Sequence, residues 1–252
     1  MSFFEILKIV DEGADFYLRI MGQAAHMKIV DNGIYEYMRS ISDINNLSSV
    51  YNVRLDHLSD DEMLKAIAEI KAKNTHTWFP LAASERVCDY LYGKNIRKKY
   101  TINDLEIYGV MLTDNTPKIS NIAEDLDILE IRTMNEFERW CDIDNNIEHN
   151  GTIIFYPKNH FHLIKSGKMR CFLGCIGEKA VATCAILDND GVCSLEFVSV
   201  LPEFRLKGYA KKMCVHALQS AFVKKIQSVS VRAIGDGCTL GKSLGFEFVD
   251  MR

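Results

Sequence analysis

Apolar and polar positions alternate in two distinct rhythms along this chain, and the rhythms divide it. Phe3, Leu7, Val10 and Ala14 fall at helical spacing and predict a helix over residues 3 to 22. The next stretch, through Ser49, is mixed, with Tyr37 and Ile41 spaced as on a second helix. From Val50 the pattern sharpens. Tyr51 to Leu55 alternates like a strand. Ser59 or Asp60 caps a helix from Asp61 to about Lys73, with Met63, Ile67 and Ile70 inward. His76 to Ala82 predicts a strand, Ser84 to Gly93 a helix buried through Val87, Tyr90 and Leu91, and Glu106 to Leu112 a third strand. The turn-rich run Asp114-Asn115-Thr116-Pro117-Lys118 marks a boundary. The expected domains are therefore residues 1–115 and 120–252.

The second half reads as a strand at Ile128 to Arg132, a helix from Met134 to Asp142, then a loop and a helix around Asn159 to Ile164. Strands at Met169 to Ile176 and Ala180 to Leu187 meet at Gly177-Glu178, and Asp188-Asn189-Asp190-Gly191 is a second hairpin turn. Ser194 to Val200 is an apolar strand stopped by Pro202, which has no ladder donor. Arg205-Leu206-Lys207-Gly208-Tyr209-Ala210 opens a helix whose apolar face is Leu206, Ala210, Met213, Ala217 and Ala221. A strand at Ser228 to Ala233, a short helix from Cys238 to Ser243 and the end strand Leu244 to Val249 complete the pattern. An antiparallel meander followed by helical crossovers is a mixed α/β arrangement.

A strand that feeds a helix through a glycine-bearing turn leaves backbone N–H groups unpaired at the helix start. Those donors and the positive end of the helix dipole favour phosphate. Gly208 lets the backbone approach an anion closely.

The turn, R-L-K-G-Y-A after V-L-P-E-F, resembles the R/Q-x-x-G-x-G/A signature of the GNAT superfamily of N-acetyltransferases, and Leu244-Gly245-Phe246 resembles its L-G-F segment. The resemblance covers about residues 126 to 252. It implies a mixed α/β GNAT fold, a mostly antiparallel central sheet flanked by helices, preceded by a smaller α/β domain. It also implies acetyl-CoA as co-substrate, no metal, and acetyl transfer to a primary amine by direct attack. The cofactor-binding positions it marks are Val198, Ser199 and Val200 on the strand and Arg205, Leu206, Lys207, Gly208, Tyr209 and Ala210 in the turn. Glu196 is the candidate general base; the alternative is that it points to the opposite face and pairs with an arginine or lysine. The tyrosine many members place five residues before the phenylalanine of L-G-F is here Gly241, which leaves Cys238 as a candidate acid beside Thr239 or water. Tyr156 and His160 are candidate acceptor-site residues, in a region that also holds Glu148, His149 and His162.

Residues 50 to 112 repeat the strand–helix order of the back half of the same fold. They read as a degenerate GNAT-like module, with an unrelated α/β domain as the alternative. Where the second half has its phosphate turn, this half has Leu58-Ser59-Asp60-Asp61-Glu62-Met63, whose acidic helix start repels phosphate, so no CoA is expected there. The chain ends soon after L-G-F, and an element of the first half is expected to complete the second sheet.

Composition narrows the function classes. A net charge of −4 without a basic block argues against nucleic acid, and no apolar run is long enough for a membrane span. The first residues do not read as a signal peptide. Eight cysteines without paired C-x-x-C units make a zinc site an unfavoured reading, and unpaired buried thiols point to the cytoplasm. The expected partner is a small-molecule or peptide amine, with no nucleic acid or membrane, and a homodimer is compatible. The second functional reading is a catalytically weak or inactive acyl-CoA-binding regulatory module. A nucleotide-binding domain is a third, disfavoured because the antiparallel meander is wrong for the parallel sheets of those folds.

Overall fold

The computed structural model describes residues 2–22, 27–40, 48–92, 107–112, 117, 123–147, 155–224, 226–233 and 235–249. The chain forms two compact units, Met1–Leu105 with Val249–Arg252, and Glu106–Phe248.

The first unit contains α1 (Phe3–Met21), β1 (Met27–Asp31), β2 (Glu36–Ser40), β3 (Ser49–Tyr51), α2 (Asp60–Ala72), β4 (His76–Thr77) and α3 (Glu85–Tyr92). Its strands lie in the order β1-β2-β3-β4, antiparallel except for the parallel pair β3/β4 joined through α2. Val50, Leu55, Met63, Ile67, Ile70 and Val87 form its core. The segment around Tyr37 is a strand, not a helix, and the cause lies just upstream. Asn32 Oδ1 accepts the N–H groups of Ile34 and Tyr35, Asp31 accepts that of Gly33, and Gly33 takes a φ of 87°. This Asp-Asn-Gly turn reverses the chain into a hairpin. Ile41, the other position read as helical, lies outside the described residues.

Two strands are shorter than the pattern predicts. β3 ends at Tyr51 because Asn52 turns to a φ of 49° and gives its N–H to Asp15 at 2.7 Å. β4 ends at Thr77 because the N–H groups of Leu81 and Ala82 go to the Asp11 carboxylate, at 2.9 and 2.8 Å. Both acceptors belong to α1. Asp11, Asp15 and Arg19 recur every four residues and form one polar line along the helix. Arg19 completes it with an ion pair to Glu36 at 2.6 Å.

The second unit contains β5 (Ile107–Leu112), β6 (Asp127–Glu130), α4 (Met134–Ile147), α5 (Pro157–Lys165), β7 (Met169–Ile176), β8 (Lys179–Asn189), β9 (Val192–Val200), α6 (Tyr209–Val223), β10 (Ser228–Ala233), α7 (Asp236–Leu244) and β11 (Glu247–Val249). Its described strands form one sheet in the order β11-β5-β10-β9-β8-β7-β6. The recorded ladders are antiparallel except β9/β10, which are parallel. α6 covers one face, packing Met213, Ala217, Leu218 and Ala221 with Cys193, Leu195, Val229 and Val231. α4 packs against β7, β8 and β9.

β5, which the sequence pattern groups with the first half, pairs antiparallel with β10, Ile107 opposite Ala233 and Leu112 opposite Ser228. It lies between β10 and β11 in the sheet, and the compact units divide before it at Leu105/Glu106. The register decides this: Gly109, with no side chain, faces Val231 where a β-carbon would press on Phe246 and Phe248 at 3.1 and 3.2 Å.

The carboxylates of α1, Asp11 buried and Asp15 half-buried, make the first unit sensitive to pH. Burial raises the Asp11 pKa to about 6 and the Asp15 pKa to about 7, against the pull of the N–H donors they accept. Arg19 lowers the Asp15 value, while Asp11 and Glu36 raise it. A carboxyl raised on folding binds its proton more tightly folded than unfolded. Its contribution is present at low pH and is lost as pH rises from about 4 through 7. Asp15→Asn keeps an acceptor for the Asn52 N–H and removes the charge. We expect it to stabilise the protein by about 1–2 kcal/mol at pH 8 and by less at pH 5, measured by denaturant unfolding. An equal effect at both pH values would show that Asp15 is not raised.

Candidate functional site

β9 carries one residue too many for its partner. Ser199 lies opposite Thr183, but Glu196 lies opposite Ala185, so three steps on β9 match two on β8. The extra residue is a bulge, and Phe197 within it has a φ of 56°, left-handed for a side chain that disfavours that region. Thr183 Oγ1 donates to the Phe197 carbonyl at 3.2 Å. The Phe197 ring packs edge-on to Trp140 and Phe155, with centroids 5.7 and 4.8 Å away. Edge-to-face contacts in a buried cluster offset the backbone cost.

The bulge changes which way the strand faces. Cys193 and Leu195 point into the core beneath α6, and Val198 and Val200 resume that direction. Glu196 and Phe197 therefore both turn to the α4 face. The bulge also ends the parallel ladder: β9 pairs with β10 from Val192 opposite Ser228 to Leu195 opposite Val231, and no further. Beyond Leu195 the two strands separate. On the other side β9 stays bound to β8, with Leu201 N–H donating to the Val181 carbonyl at 2.9 Å. Antiparallel alternation then directs the backbone of Val198 and Val200 toward the opening.

The turn at the open end is built for an anion. A 3-10 turn, Pro202–Phe204, leads into Arg205, Leu206 at φ 61° and Gly208 at φ 85°. α6 starts at Tyr209, and its first intrahelical bond is Lys212 N–H to the Gly208 carbonyl, 3.0 Å. The N–H groups of Tyr209, Ala210 and Lys211 thus lack helical acceptors and lie at the positive end of the dipole. The helix begins later than the apolar spacing predicts. Leu206 is fully exposed at the tip of the turn, not part of a helix face, because a left-handed residue cannot sit in a right-handed helix. Arg205 Nε donates to the Val200 carbonyl at 3.1 Å and fixes the turn to the strand end. Lys207 Nζ lies over the Phe204 ring. Tyr209 is buried, and its hydroxyl donates to Asp125 at 2.6 Å.

At the closed end of the split, Arg232 Nη2 donates to Glu196 Oε2 at 3.1 Å. Glu196 thus has a guanidinium partner. Cys238 Sγ donates to the Ala233 carbonyl, at the end of β10, across 3.3 Å. Phe248 of β11 fills the space beside Gly241: a β-carbon there would come within 2.5 Å of the ring. His160 is fully buried in α5, its Nδ1 3.1 Å from both the N–H and the carbonyl of Tyr156, and its ring packs against Phe155. It lies behind the aromatic cluster that holds the bulge, and Tyr156 is half-buried beside it. Glu148 and His149 lie outside the described residues. Arg232 is the residue of this site that the pattern left unremarked. Its signal was a charged residue closing an alternating strand, one position past Val231.

The described residues contain no group of three or more His, Cys, Asp or Glu placed to hold a metal ion. No helix among them is long and apolar enough to cross a membrane.

The sheet is split by a bulged strand, with a glycine-bearing turn and an uncapped helix start at the open end, and residues 128–235 match the model of the acetyltransferase (GNAT) family. That segment is a GNAT-family acetyltransferase domain. No curated protein matches the chain in sequence. Among solved structures, a GCN5-related N-acetyltransferase from Kribbella flavida is 15% identical, covers 93% of this chain and 91% of its own, and has a TM-score of 0.62. A Drosophila protein is 12% identical, covering 98% and 86% with a TM-score of 0.55. A functionally unknown conserved protein from Staphylococcus epidermidis is 12% identical, covering 88% and 90% with a TM-score of 0.52. At these identities the likeness is one of fold, and it runs through both units.

The bulge is open to a direct test. Glycine relieves a left-handed φ and alanine does not, while both remove the ring. Phe197→Gly is expected to be more stable than Phe197→Ala by about 1 kcal/mol in denaturant unfolding, the reverse of the usual order in a strand. An alanine variant as stable as the glycine variant would place Phe197 outside the left-handed region.

Proposed function

We propose that the second unit transfers an acetyl group from acetyl-CoA to a primary amine by direct attack. The observation that carries this reading is the joint geometry of the split between β9 and β10 and the phosphate turn beside it. The pantetheine arm lies in the split as an added strand, hydrogen-bonded to the backbone of Val198 and Val200. The pyrophosphate sits on the N–H groups from Gly208 to Ala210, with Arg205 and Lys207 adding charge. The backbone amides that hold the arm also polarise the thioester carbonyl as charge develops on its oxygen.

The acceptor arrives as an ammonium and must lose a proton before its lone pair attacks. Glu196, buried at the closed end of the split, is the carboxylate placed to receive it. The nitrogen then attacks the carbonyl carbon, the C–S bond breaks, and the sulfur leaves as a thiolate that takes the amine's second proton. Cys238, Thr239 or water relays that proton to the sulfur, because Phe248 occupies the space a side chain at Gly241 would use. A cytoplasmic setting belongs to this reading, in keeping with eight free cysteines.

The filled space at Gly241 favours a second reading, an acyl-CoA-binding module of weak or no activity. Two measurements separate them. Calorimetric titration with acetyl-CoA, beside dephospho-CoA and ATP, is expected to show selective binding. A thiol-release assay over an amine panel is expected to show turnover. Binding without turnover would establish the second reading, and absence of binding would remove both. Gly208→Glu places a carboxylate and a Cβ where the turn needs a left-handed glycine and an anion site. It is expected to weaken acetyl-CoA binding by about tenfold or more, equivalent to about 1.4 kcal/mol. Undiminished affinity would mean that the turn does not hold the cofactor.

A further inference from the structure

Each acetyl transfer to an ammonium releases one proton, and Glu196 is left holding it. That proton must depart before the next amine can be served. Glu196 is poorly placed to shed it directly, since its side chain retains only 8% of its exposure. The open end of the split, the other way out, is where the cofactor arm lies during turnover.

The buried hydroxyls on the same face of the sheet offer a route. Cys193 and Leu195 of β9 and Val229 and Val231 of β10 point into the core beneath α6. The alternate positions face the other way: Ser194 and Glu196 on β9, Ser228 and Ser230 on β10. All three serines are buried, and Ser194 stands opposite Ser230 in the parallel ladder. Ser228 directly follows Gln227, which is exposed at the start of β10. A line of hydroxyls therefore runs from Glu196 to the surface, at the end of the strands remote from the Gly208 turn.

The hydrogen bonds along this line are incomplete where a proton would enter it. Glu196 Oε2 accepts from Arg232, but Glu196 Oε1 and Ser194 Oγ are buried and have no hydrogen-bond partner among the described residues. Ser230 Oγ donates to the Cys193 carbonyl at 3.2 Å, and its own oxygen can still accept. Two unpaired polar atoms on neighbouring positions of one strand face are costly apart and are satisfied together by one water. Residues two apart on a strand are separated by about 6.6 Å, and adjacent strands by about 4.8 Å. Two hydrogen bonds through a water span about 5.5 Å, which matches both steps.

We infer that Ser194 is the group through which Glu196 sheds its proton, and that Ser194, Ser230 and Ser228 form the exit line. This inference rests on the acetyl-transfer reading of the same site. The ammonium gives one proton to Glu196 Oε1. The nitrogen lone pair attacks the thioester carbonyl carbon, the C–S bond breaks, and the amine's second proton goes to the sulfur. The Glu196 carboxyl then passes its proton to the bridging water, which gives one to Ser194 Oγ as Ser194 releases its own toward Ser230. Carboxylate and hydroxyls are restored, and one proton leaves for each acetyl group transferred. Ser194 touches neither substrate nor cofactor and acts only through Glu196.

The test uses the full chain, acetyl-CoA and an amine that the thiol-release panel shows to be acetylated. Ser194→Thr and Ser194→Val fill the same volume and differ in the hydroxyl. The exit step follows chemistry, so its loss lowers kcat and spares kcat/KM. The valine variant is expected to complete its first turnover, by rapid quench, within about threefold of the threonine variant. Its kcat is expected to fall about tenfold or more below that of the threonine variant, with kcat/KM within about threefold. Equal kcat in the two variants overturns the inference. A first turnover and kcat/KM that fall together with kcat overturn it as well, because that pattern is damage to Glu196 itself. If the valine variant does not fold, Ser194→Ala takes its place against threonine. Acetyl-CoA binding without turnover of any amine by the wild type overturns the transfer reading and this inference with it; wild-type turnover with no difference between the variants overturns this inference alone.

Discussion

One surplus residue in β9 is the constraint on which the second unit depends. Without it, the strand would continue in register between β8 and β10 and the sheet would be closed throughout. With it, Glu196 and Phe197 fall on the same side, the parallel ladder stops at Leu195, and backbone polar groups turn toward an opening in the sheet. Such a defect survives only if something holds it. Here the Phe197 ring wedges between Trp140 and Phe155, while Thr183 takes up the carbonyl. The split is therefore a property of packing on the α4 face, although its other face is covered by α6.

The two units state the same topology with opposite helix starts. β1-β2-β3, α2 and β4 repeat the meander, crossover helix and parallel strand of β7-β8-β9, α6 and β10. At α6 a left-handed glycine leaves the first N–H groups without side-chain caps. At α2 the Glu62 carboxylate accepts from both the N–H and the hydroxyl of Ser59, at 2.9 and 2.6 Å, and Asp60 pairs with Arg86. Three acidic residues occupy that first turn, so the positive end of the α2 dipole is already answered by the chain itself. The same frame thus presents donors outward in one unit and consumes them in the other.

Much of the second unit was legible because its signals are local. The hairpin at Gly177-Glu178, the stop at Pro202 and the left-handed Gly208 each act within a few residues, and the structure places strands and helix start around them. What escaped depends on partners far along the chain. β5 is an ordinary apolar strand, and nothing in its own residues says that it joins β10 instead of β3 or β4. Phe197 reads as one more strand apolar until β8 is seen to be one residue short. Arg232 is a surface-like charge in sequence, and only the parallel register brings it to Glu196. The truncation of β3 and β4 likewise depends on Asp11 and Asp15, two carboxylates on α1 that draw away N–H groups the strands would have used.

The placement of β5 also sets an order of assembly. Ile107 meets Ala233, and Leu112 meets Ser228, across more than a hundred intervening residues. During synthesis β5 leaves the ribosome well before β10 exists, carrying apolar Ile107, Val110, Met111 and Leu112 with no sheet to join. Pairings of such long sequence separation form late, because the loop must close before any contact rewards it. This strand is consequently the segment most exposed to wrong partners while the protein is being made, and its docking against β10 is the event that seals the sheet.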